Sequence, residues 1–508
     1  MQLNRLTSTW TALSATRSRL AKRDLIAAVL RDADAAEVET VVSYLSGSLR
    51  QRRTGVGWRL LQQLPPAAPE AALTVAEVDE AFAALAELSG PGSSGLRAAG
   101  VQALFARATA DEQAFLRGLV LGDLRQGALE SQVQEGLAAA YGVPVAAVRR
   151  AAMLSSSTPA AAVALQAGGL AALQQIGLRV GVGVQPMLAA SASDPAAAAE
   201  RTGLPALVDA KLDGVRVQVH RDGDQVRVFT RSLDDITDRL PEVVGVARSL
   251  ATDRVVLDGE VLALRPDGAP EAFQVVASRT MSGADEAAAT PPLRVFVFDL
   301  LHIDGRDLLD EPLTARLTAM EQLLPVELLV PRRRCDTTEE VASAFADAVG
   351  RGFEGIVVKN LDAPYAAGRR DAAWVKVKPR HTFDLVVTAA EWGHGRRQGW
   401  LSNLHLAARD PTGGGLVMLG KTFKGLTDEL LGWQTEQLLR REVRRTAGTV
   451  YVEPSLVVEI ACDGLQASTR YPGGVALRFA RVLRYRGDKA AEEADTIETV
   501  RALAGPLF

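Results

Sequence analysis

The 508-residue chain contains few cysteines, few aromatic residues and little net charge. Its two cysteines, Cys335 and Cys462, exclude a disulfide framework and a four-cysteine zinc site. The net charge of −4 provides no strong overall field for nucleic acid or membranes, so DNA binding would depend on local basic patches. Because no run of about 18 uncharged apolar residues is present, we expect no transmembrane helix. These features favour a reducing, intracellular compartment.

The first third of the chain has helical periodicity and few strand signals. Two capping boxes, Thr74 with Glu77 and Thr109 with Glu112, predict helix starts ahead of apolar residues. We therefore expect the chain to begin with an all-α domain.

The pattern changes near residue 181 to short alternating strands. Val215, Val217 and Val219 alternate with polar residues, and Asp222-Gly223 predicts a hairpin turn after them. Strands of this kind, mixed with helical stretches, indicate an α+β domain built from antiparallel sheets.

A third composition begins near Phe383, where short strands and Gly-rich turns are interrupted by one helical stretch from about Thr427 to Arg445. This arrangement predicts a small Greek-key barrel of the OB-fold type. The predicted fold class is therefore multidomain, with an all-α domain at residues 1–178, an α+β domain at 179–381 and a C-terminal OB-fold β-barrel at 382–508.

The central chemical candidate is Lys211, which is followed by Asp213 and Gly214. A lysine amine is a nucleophile only when neutral, and with a pKa near 10.4 about one in a thousand is neutral at physiological pH. Nearby cations would depress that pKa and free the lone pair. Taken alone, the short K-x-D-G pattern is expected by chance and favours a surface lysine beside an Asp-Gly turn.

Six further segments follow, and they change this interpretation. They are Phe229–Ser232, Leu257–Glu260, Phe298–Leu301, Phe353–Lys359, Trp374–Lys378 and Arg478–Lys489. Together with the Lys211 segment, this ordered set resembles the nucleotidyltransferase motifs of the ATP-dependent DNA ligases, a group related to RNA ligases and mRNA capping enzymes. The resemblance covers nearly the whole chain.

The resemblance implies a role for each matching residue. Lys211 would be the nucleophile that carries AMP, and the other catalytic residues would be Lys376, Arg486 and Lys489. The residues implied to bind the nucleotide are Asp209, Arg216, Arg231, Glu260, Phe298, Lys359, Lys376 and Lys378. Glu260 and Glu354 would hold Mg²⁺, or Mn²⁺ in its place, because hard divalent cations take oxygen ligands. ATP would be the AMP donor.

Residue patterns support several of these roles. Lys376 and Lys378 have the same parity on a predicted strand and face one side, although exposed lysines also protect edge strands. Phe298 is expected to stack on adenine, whereas Phe296, on the same face, is expected to be core. Residues 486–489 match the R-x-D-K form of the last motif, in which arginine and lysine orient pyrophosphate after a domain movement.

Other segments extend the resemblance. Glu453–Ile460 and Tyr471-Pro472 resemble the barrel domain of this family, and Ser18–Arg23 and Gly122–Gly127 resemble its helical DNA-binding domain. Ser232 departs from the family, in which asparagine often follows the motif arginine.

We therefore predict an ATP-dependent DNA ligase that seals nicks between a 3′-hydroxyl and a 5′-phosphate in duplex DNA. A lysine-AMP intermediate and a DNA-adenylate would carry the reaction in DNA repair, replication or recombination. As a monomer, the chain would encircle nicked DNA through phosphate contacts, in a prokaryotic cytoplasm near the nucleoid and without membrane association. The sequence identifies no recruiting protein.

Three alternatives remain at this point. The same chemistry would serve RNA sealing or mRNA capping, although the helical and barrel matches favour DNA. A non-catalytic protein that binds DNA ends would keep a degenerate nucleotide site. NAD is a disfavoured AMP donor, because two cysteines cannot build the four-cysteine zinc module typical of NAD-dependent ligases.

Overall fold

The computed structural model describes residues 1–51, 54–124, 130–271, 273–281, 292–366 and 370–503. Helices dominate the first part of this range, as predicted. They are α1 (Leu3–Ala15), α2 (Arg19–Asp32), α3 (Val38–Leu45), α4 (Val75–Glu87), α5 (Ser93–Ala106), α6 (Ala110–Leu121), α7 (Glu130–Tyr141), α8 (Val145–Leu154) and α9 (Thr158–Gln174). Both predicted capping boxes are present, at the starts of α4 and α6. Of the DNA-contacting turn inferred at Gly122–Gly127, residues 125–127 lie outside the described part.

The middle part of the chain alternates strands and helices. Its elements are β1 (Leu188–Ser191), α10 (Pro195–Thr202), β2 (Ala206–Lys211), β3 (Val215–Asp222), β4 (Gln225–Thr230), α11 (Pro241–Ser249), β5 (Arg254–Ala263), α12 (Phe273–Met281), β6 (Leu293–Ile303), β7 (Arg306–Asp307), α13 (Leu313–Leu323), β8 (Arg332–Cys335), α14 (Thr338–Gly350), β9 (Gly355–Asn360) and β10 (Arg370–Val377). The predicted turn at Asp222-Gly223 joins β3 to β4, and Gly223 has the positive φ of +59° that such a turn favours.

Two five-stranded sheets form this middle region. One has the order β1-β10-β9-β2-β8 and the other the order β4-β3-β5-β6-β7. Neighbouring strands are antiparallel, as predicted, except that β1 runs parallel to β10. The strands β2, β9 and β10 of one sheet, together with β3, β5 and β6 of the other, carry most of the predicted site residues.

The C-terminal region is rich in β-structure. Its elements are β11 (His381–Trp392), β12 (Leu401–Arg409), β13 (Leu416–Thr422), α15 (Asp428–Arg440), β14 (Glu442–Arg445), β15 (Thr449–Val452), β16 (Val457–Cys462), β17 (Gly464–Ala467), β18 (Val475–Arg478), β19 (Arg481–Tyr485) and α16 (Ile497–Ala502). The long strand β11 pairs with β12, with β15 through residues 389–391 and with β16 through residues 381–386, and its register with β12 shifts twice.

Two details of this region differ from the prediction. The helix predicted to reach Arg445 ends at Arg440, because Glu442–Arg445 pairs with β15 as a strand and tertiary pairing overrides helical propensity. The predicted barrel does not close among the described strands, since β17 and β18 pair only with each other as a separate two-stranded sheet.

Three groups of buried apolar residues follow the chain, spanning residues 3–173, 198–377 and 383–500. A smaller cluster, which includes Met153, Met187 and Trp374, packs the end of α8 against the middle region. The domain boundaries at residues 178 and 381 remain predictions. Among the described helices, none combines the length and hydropathy needed to cross a bilayer.

A buried polar network fixes the connection between the helical and middle regions. The backbone N–H of Gly181 donates to Nδ1 of His220 at 3.1 Å, and Nε2 of His220 donates to Oε1 of Gln218 at 2.8 Å. The amide of Gln218 also bonds both backbone groups of Val184, at 2.7 and 3.1 Å. Burial, with minor contributions from His302 and Arg227, lowers the pKa of His220 to about 3.

This network makes stability depend on pH. A histidine whose pKa is about 3 when folded and 6.5 when unfolded stabilises the fold fully above pH 6.5. Stability falls as the pH drops from 6.5 towards 3, because protonation turns Nδ1 into a donor facing the Gly181 donor. We expect the free energy of unfolding to fall by about 2 kcal/mol between pH 6.5 and 5. Urea titrations of wild type and His220→Asn at these pH values measure the effect.

The variant His220→Asn should be less stable at pH 7, but its free energy of unfolding should depend less on pH between 6.5 and 5. His394→Asn is the matched control, because His394 is exposed and its loss should leave the slope unchanged. Equal slopes in wild type and His220→Asn would contradict the prediction.

Candidate active site

A cavity of about 620 Å³ lies between the two sheets of the middle region. Ten of the twelve residues that the sequence nominates line it. They are Asp209, Lys211, Arg216, Arg231, Glu260, Phe298, Glu354, Lys359, Lys376 and Lys378. The two that do not are Arg486 and Lys489.

Lys211 is the last residue of β2 and keeps about a fifth of its side chain exposed. Its amine forms an ion pair with Oε2 of Glu354 and donates to the backbone oxygen of Leu212 at 3.1 Å. The backbone N–H of Glu354 also donates to the Lys211 oxygen at 2.9 Å, which holds the two residues together. Before it can attack a phosphorus atom, the amine must leave this carboxylate and lose a proton.

A second lysine shares the same carboxylate. Nζ of Lys378 bonds Oε1 of Glu354 and lies 3.4 Å from Oδ2 of Asp463. Burial opposes the charge of Lys378, but Glu354 and Asp463 more than compensate and raise its pKa. Lys378 is therefore held as a cation beside Lys211.

The motif glycines allow the backbone to approach closely at this end of the cavity. A Cβ at Gly214 would lie 2.3 Å from the oxygen of Val261, and one at Gly355 would lie 2.1 Å from the oxygen of Val377. Gly355 also has a φ of +142°. Gly214 is the glycine of the K-x-D-G motif, and Gly355 follows Glu354 in the Phe353–Lys359 segment.

Glu260 faces the same end of the cavity. Its Oε1 accepts a hydrogen bond from the backbone N–H of Gly214 at 2.8 Å. Burial raises the pKa of Glu260, and the charges of Lys211 and Arg216 partly offset this. In the described part of the chain, no group of three or more His, Cys, Asp or Glu side chains is placed to hold a metal ion.

The donor set nevertheless fits Mg²⁺. This ion commonly takes one or two protein carboxylates and completes its shell with phosphate oxygens and water. Glu260 and Glu354 both line the cavity, and Oε2 of Glu354 is buried without an aligned hydrogen bond among the described residues. A bound cation would replace the Lys211 amine as the charged partner of that oxygen.

The opposite end of the cavity is aromatic and carries a buried carboxylate. The rings of Phe298 and Trp374 lie edge to face with centroids 5.9 Å apart. Nζ of Lys359 is 2.6 Å from Oδ2 of Asp209, donates to the Phe298 oxygen at 3.0 Å and lies 4.3 Å from the Trp374 ring centroid. The amine of Lys359 therefore contacts Asp209 and the aromatic wall, and it does not point towards the end of the cavity that contains Lys211.

The side chain of Arg216 is likewise held by other groups of the protein. Its guanidinium makes two hydrogen bonds with Asp258, at 3.1 and 2.7 Å, and donates to the Met187 oxygen at 2.7 Å. The hydroxyl of Tyr365 donates to Asp258 at 2.6 Å. Desolvation opposes the charge of Arg216, yet Asp258 and Tyr365 raise its pKa. The ring of Phe298 lies under this guanidinium, 5.3 Å away.

Sequence reasoning did not nominate Asp258 or Tyr365. Asp258 could have been nominated, because it lies two residues before Glu260 on a strand, where alternate side chains point to the same face. Tyr365 lies in a loop, and no sequence pattern indicated it.

The C-terminal region contributes two cavity residues that were also not nominated, Arg478 and Phe479. Nη1 of Arg478 is 2.8 Å from Oδ2 of Asp213, so an ion pair joins the C-terminal region to the K-x-D-G motif. Phe479 is exposed and has a positive φ of +54°. Both residues lie in the basic Arg478–Lys489 segment, which could have indicated them.

Arg486 and Lys489 lie elsewhere on the C-terminal region. Nη1 of Arg486 is 2.8 Å from Oδ2 of Asp384, and Nζ of Lys489 is 2.6 Å from the same oxygen. Arg486 also bonds Asp488. The structure therefore does not bring the last motif to Lys211.

Comparisons with known proteins bear on this geometry. A family model described as "ATP dependent DNA ligase domain" matches residues 186–378, which include the whole cavity wall of the middle region. Models described as "ATP dependent DNA ligase C terminal region" and "DNA ligase N terminus" match residues 397–489 and 59–138. A protein of Nocardioides sp. (strain ATCC BAA-499 / JS614), named "Probable DNA ligase", is 58% identical over 504 residues, which are 98% of each chain.

The chain belongs to the ATP-dependent DNA ligase family. A second "Probable DNA ligase", from Beutenbergia cavernae, is 57% identical over 515 residues and covers 99% of this ligase and 100% of its own length. A solved structure named Pmar-Lig_PreS3 covers 95% of this ligase and 99% of its own chain, with a TM-score of 0.63 and 19% identity. That likeness supports the fold. The predicted enzyme class and the use of ATP are confirmed.

Proposed function

We propose that this ligase seals nicks between a 3′-hydroxyl and a 5′-phosphate in duplex DNA through AMP bound to Lys211. The carrying observation is that one cavity holds the Lys211 amine, Glu354, Glu260 and three further lysines. In this proposal the chain acts as a monomer that surrounds the DNA, with domains at residues 1–178, 179–381 and 382–508.

The first step forms a P–N bond. The neutral amine of Lys211 attacks the α-phosphorus of ATP, the bond to the bridging oxygen breaks, and pyrophosphate leaves with its electron pair. Lys376 and Lys378, which both line the cavity, would contact the phosphates and counter the charge that develops on them. Glu260 and Glu354 would hold Mg²⁺, which supplies further charge neutralisation when bound.

Two further displacements complete the cycle. A 5′-phosphate oxygen of the nick attacks the AMP phosphorus, and the P–N bond to Lys211 breaks as the lysine regains a proton. The 3′-hydroxyl then attacks the 5′-phosphorus, a new phosphodiester forms and AMP leaves. Phe298 and Trp374 provide an apolar wall suited to the adenine ring throughout.

Arg486 and Lys489 act in the first step only. Both are held by Asp384 outside the cavity, so orienting pyrophosphate requires the C-terminal region to rotate. The arrangement described here, with Arg478 on Asp213, would correspond to a state used after Lys211 carries AMP.

A substrate comparison tests the proposal. Nicked duplexes with DNA or RNA strands are incubated with ATP or NAD and Mg²⁺, and sealed product is resolved on denaturing gels. We expect sealing of nicked DNA with ATP to exceed that of nicked RNA, and NAD to give no product. Preferential sealing of RNA would replace DNA with RNA as the substrate. If no lysine-AMP adduct forms, a DNA-end-binding protein would be the better reading.

A further inference from the structure

An additional arginine stands beside the buried carboxylate at the aromatic end of the cavity. Nε of Arg332 lies 4.0 Å from Oδ1 of Asp209, while Nζ of Lys359 lies 2.6 Å from Oδ2. The side chains of Asp209 and Lys359 are almost fully buried, and that of Arg332 is 11% exposed. One carboxylate therefore lies between two cations, away from solvent.

Strand register places the arginine there. Asp209 on β2 is the direct cross-strand partner of Arg332 on β8, so both side chains project from the same face. The next pair, Val208 with Arg333, projects from the opposite face. The side chains of these adjacent arginines are thus directed to opposite faces of the sheet, with Arg332 on the face that Asp209 shares.

The guanidinium of Arg332 is fixed by backbone oxygens. Its Nη2 donates to the oxygen of Val297 at 3.1 Å, and its Nε donates to that of Val330 at 3.3 Å. Val330 lines the cavity, and Val297 precedes the ring of Phe298. Arg332 itself does not line the cavity, and its guanidinium is held behind the wall against which the purine ring is proposed to stack.

The hydrogen-bonding capacity of this pair is incompletely used. In the described part of the chain, Nη1 of Arg332 is buried without a partner, and neither oxygen of Asp209 receives an aligned hydrogen bond. Buried polar groups are normally satisfied, and those that are not mark places where a ligand completes the set. Lys359 by itself is not sufficient to orient Asp209, because its amine also donates to the Phe298 oxygen and contacts the Trp374 ring.

We propose that Arg332 is a positioning residue that holds Asp209 towards the 6-position of the purine and thereby makes the pocket select adenine over 6-oxo purines. An ionised carboxylate only accepts hydrogen bonds, so it favours the 6-amino group of adenine and repels the 6-oxygen of guanine or hypoxanthine. Two flanking cations offset the cost of burying that carboxylate. This inference rests on the proposed adenylation of Lys211.

The test measures the rate of lysine-AMP formation, as kcat/KM, with three nucleotides that differ at the 6-position. ATP carries an amino group, inosine triphosphate an oxygen, and purine riboside triphosphate only hydrogen. We expect Arg332→Met to lower kcat/KM for ATP by about 10- to 100-fold, mainly through KM. The value for purine riboside triphosphate should change less than about threefold, because that analogue lacks the group Asp209 reads.

Two further variants complete the design. Arg332→Lys should recover most of the preference for ATP over inosine triphosphate, because it restores the charge. Arg333→Met is the matched control, since Arg333 is exposed and faces the other side of the sheet, and its nucleotide profile should equal that of wild type. Should Arg332→Met fail to fold, Asp209→Asn reports on the same contact, and its preference should shift towards inosine triphosphate.

The outcomes separate this inference from the proposed function. Wild-type protein that forms no AMP adduct would overturn the proposed function. If wild type forms the adduct but Arg332→Met loses kcat/KM equally for all three nucleotides, or loses none for any of them, only the proposed role of Arg332 is overturned.

Discussion

Replacing Lys211 with alanine will eliminate the AMP adduct and reduce nick sealing with ATP by roughly 10⁶-fold, the loss that follows removal of a covalent nucleophile. Two of the other cavity lysines are not expected to substitute, because Lys359 is paired with Asp209 and Lys378 with Glu354 and Asp463. Incubation with radiolabelled ATP and Mg²⁺, followed by denaturing electrophoresis and peptide mapping, measures the adduct.

Two variants control this experiment. Lys211→Arg keeps a cation opposite Glu354 but has no nucleophilic amine, so it should be folded and equally inactive. Lys421→Ala removes a lysine outside the cavity that pairs with Glu391, and it should retain the adduct. An adduct that persists on another lysine in Lys211→Ala would refute the assignment.

Locking the C-terminal region onto the middle region will block self-adenylation but spare later steps. The ion pair between Asp213 and Arg478 marks where the two regions meet, so the double variant Asp213→Cys/Arg478→Cys can join them through a short reducible linker that forms a disulfide with each cysteine and spans the length of the arginine side chain. Once cross-linked, this variant should form lysine-AMP about 10³-fold more slowly, because Arg486 and Lys489 stay with Asp384 and cannot reach the pyrophosphate. Reduction with dithiothreitol should restore the rate.

The same variant provides the complementary measurement. Protein that is adenylated while reduced and cross-linked afterwards should still transfer AMP to a nick and seal it. The single-cysteine variants, treated with the same linker, control for loss of the ion pair and for the buried native cysteines Cys335 and Cys462. Full adenylation by the cross-linked double variant would show that no rotation is needed.

The geometry also explains why this active site contains so many compensated charges. Lys211, Lys378 and Glu354 share one network at the phosphate end, and Lys359, Arg332 and Asp209 share another at the base end. Without nucleotide, the protein's own carboxylates satisfy the lysines. At the phosphate end, a bound nucleotide would exchange Glu354 for phosphate oxygens, so part of the energy of binding is used to separate these ion pairs.

Much of the fold was predictable because local signals and tertiary demands agree. The capping boxes at Thr74 and Thr109 start helices as predicted, and Asp222-Gly223 makes the expected turn. The helix predicted to continue to Arg445 was wrong at its end, since pairing of Glu442–Arg445 with a neighbouring strand is a long-range interaction that propensity does not reveal.

The site shows the same division. Motif order along the sequence was sufficient to nominate Lys211, Glu260 and Glu354, which the fold then brings to one cavity. It did not reveal that Lys359 is buried against Asp209, nor that Arg216 is held by Asp258. Those partners come from different strands, and no regular spacing in the chain encodes their meeting.

The sequence by itself determined the ligase family, and it nominated a nucleophile, phosphate-binding cations and carboxylates because these residue types occur in the family's order. Only the tertiary structure decided which of these groups face the nucleotide and which serve the protein. Strand register directs Arg332 to the face that Asp209 shares and Arg333 to the opposite face, and the placement of the C-terminal region brings Arg478, rather than Arg486, to the Lys211 motif. Both outcomes depend on contacts between residues far apart in the chain, which the order of residues alone does not fix.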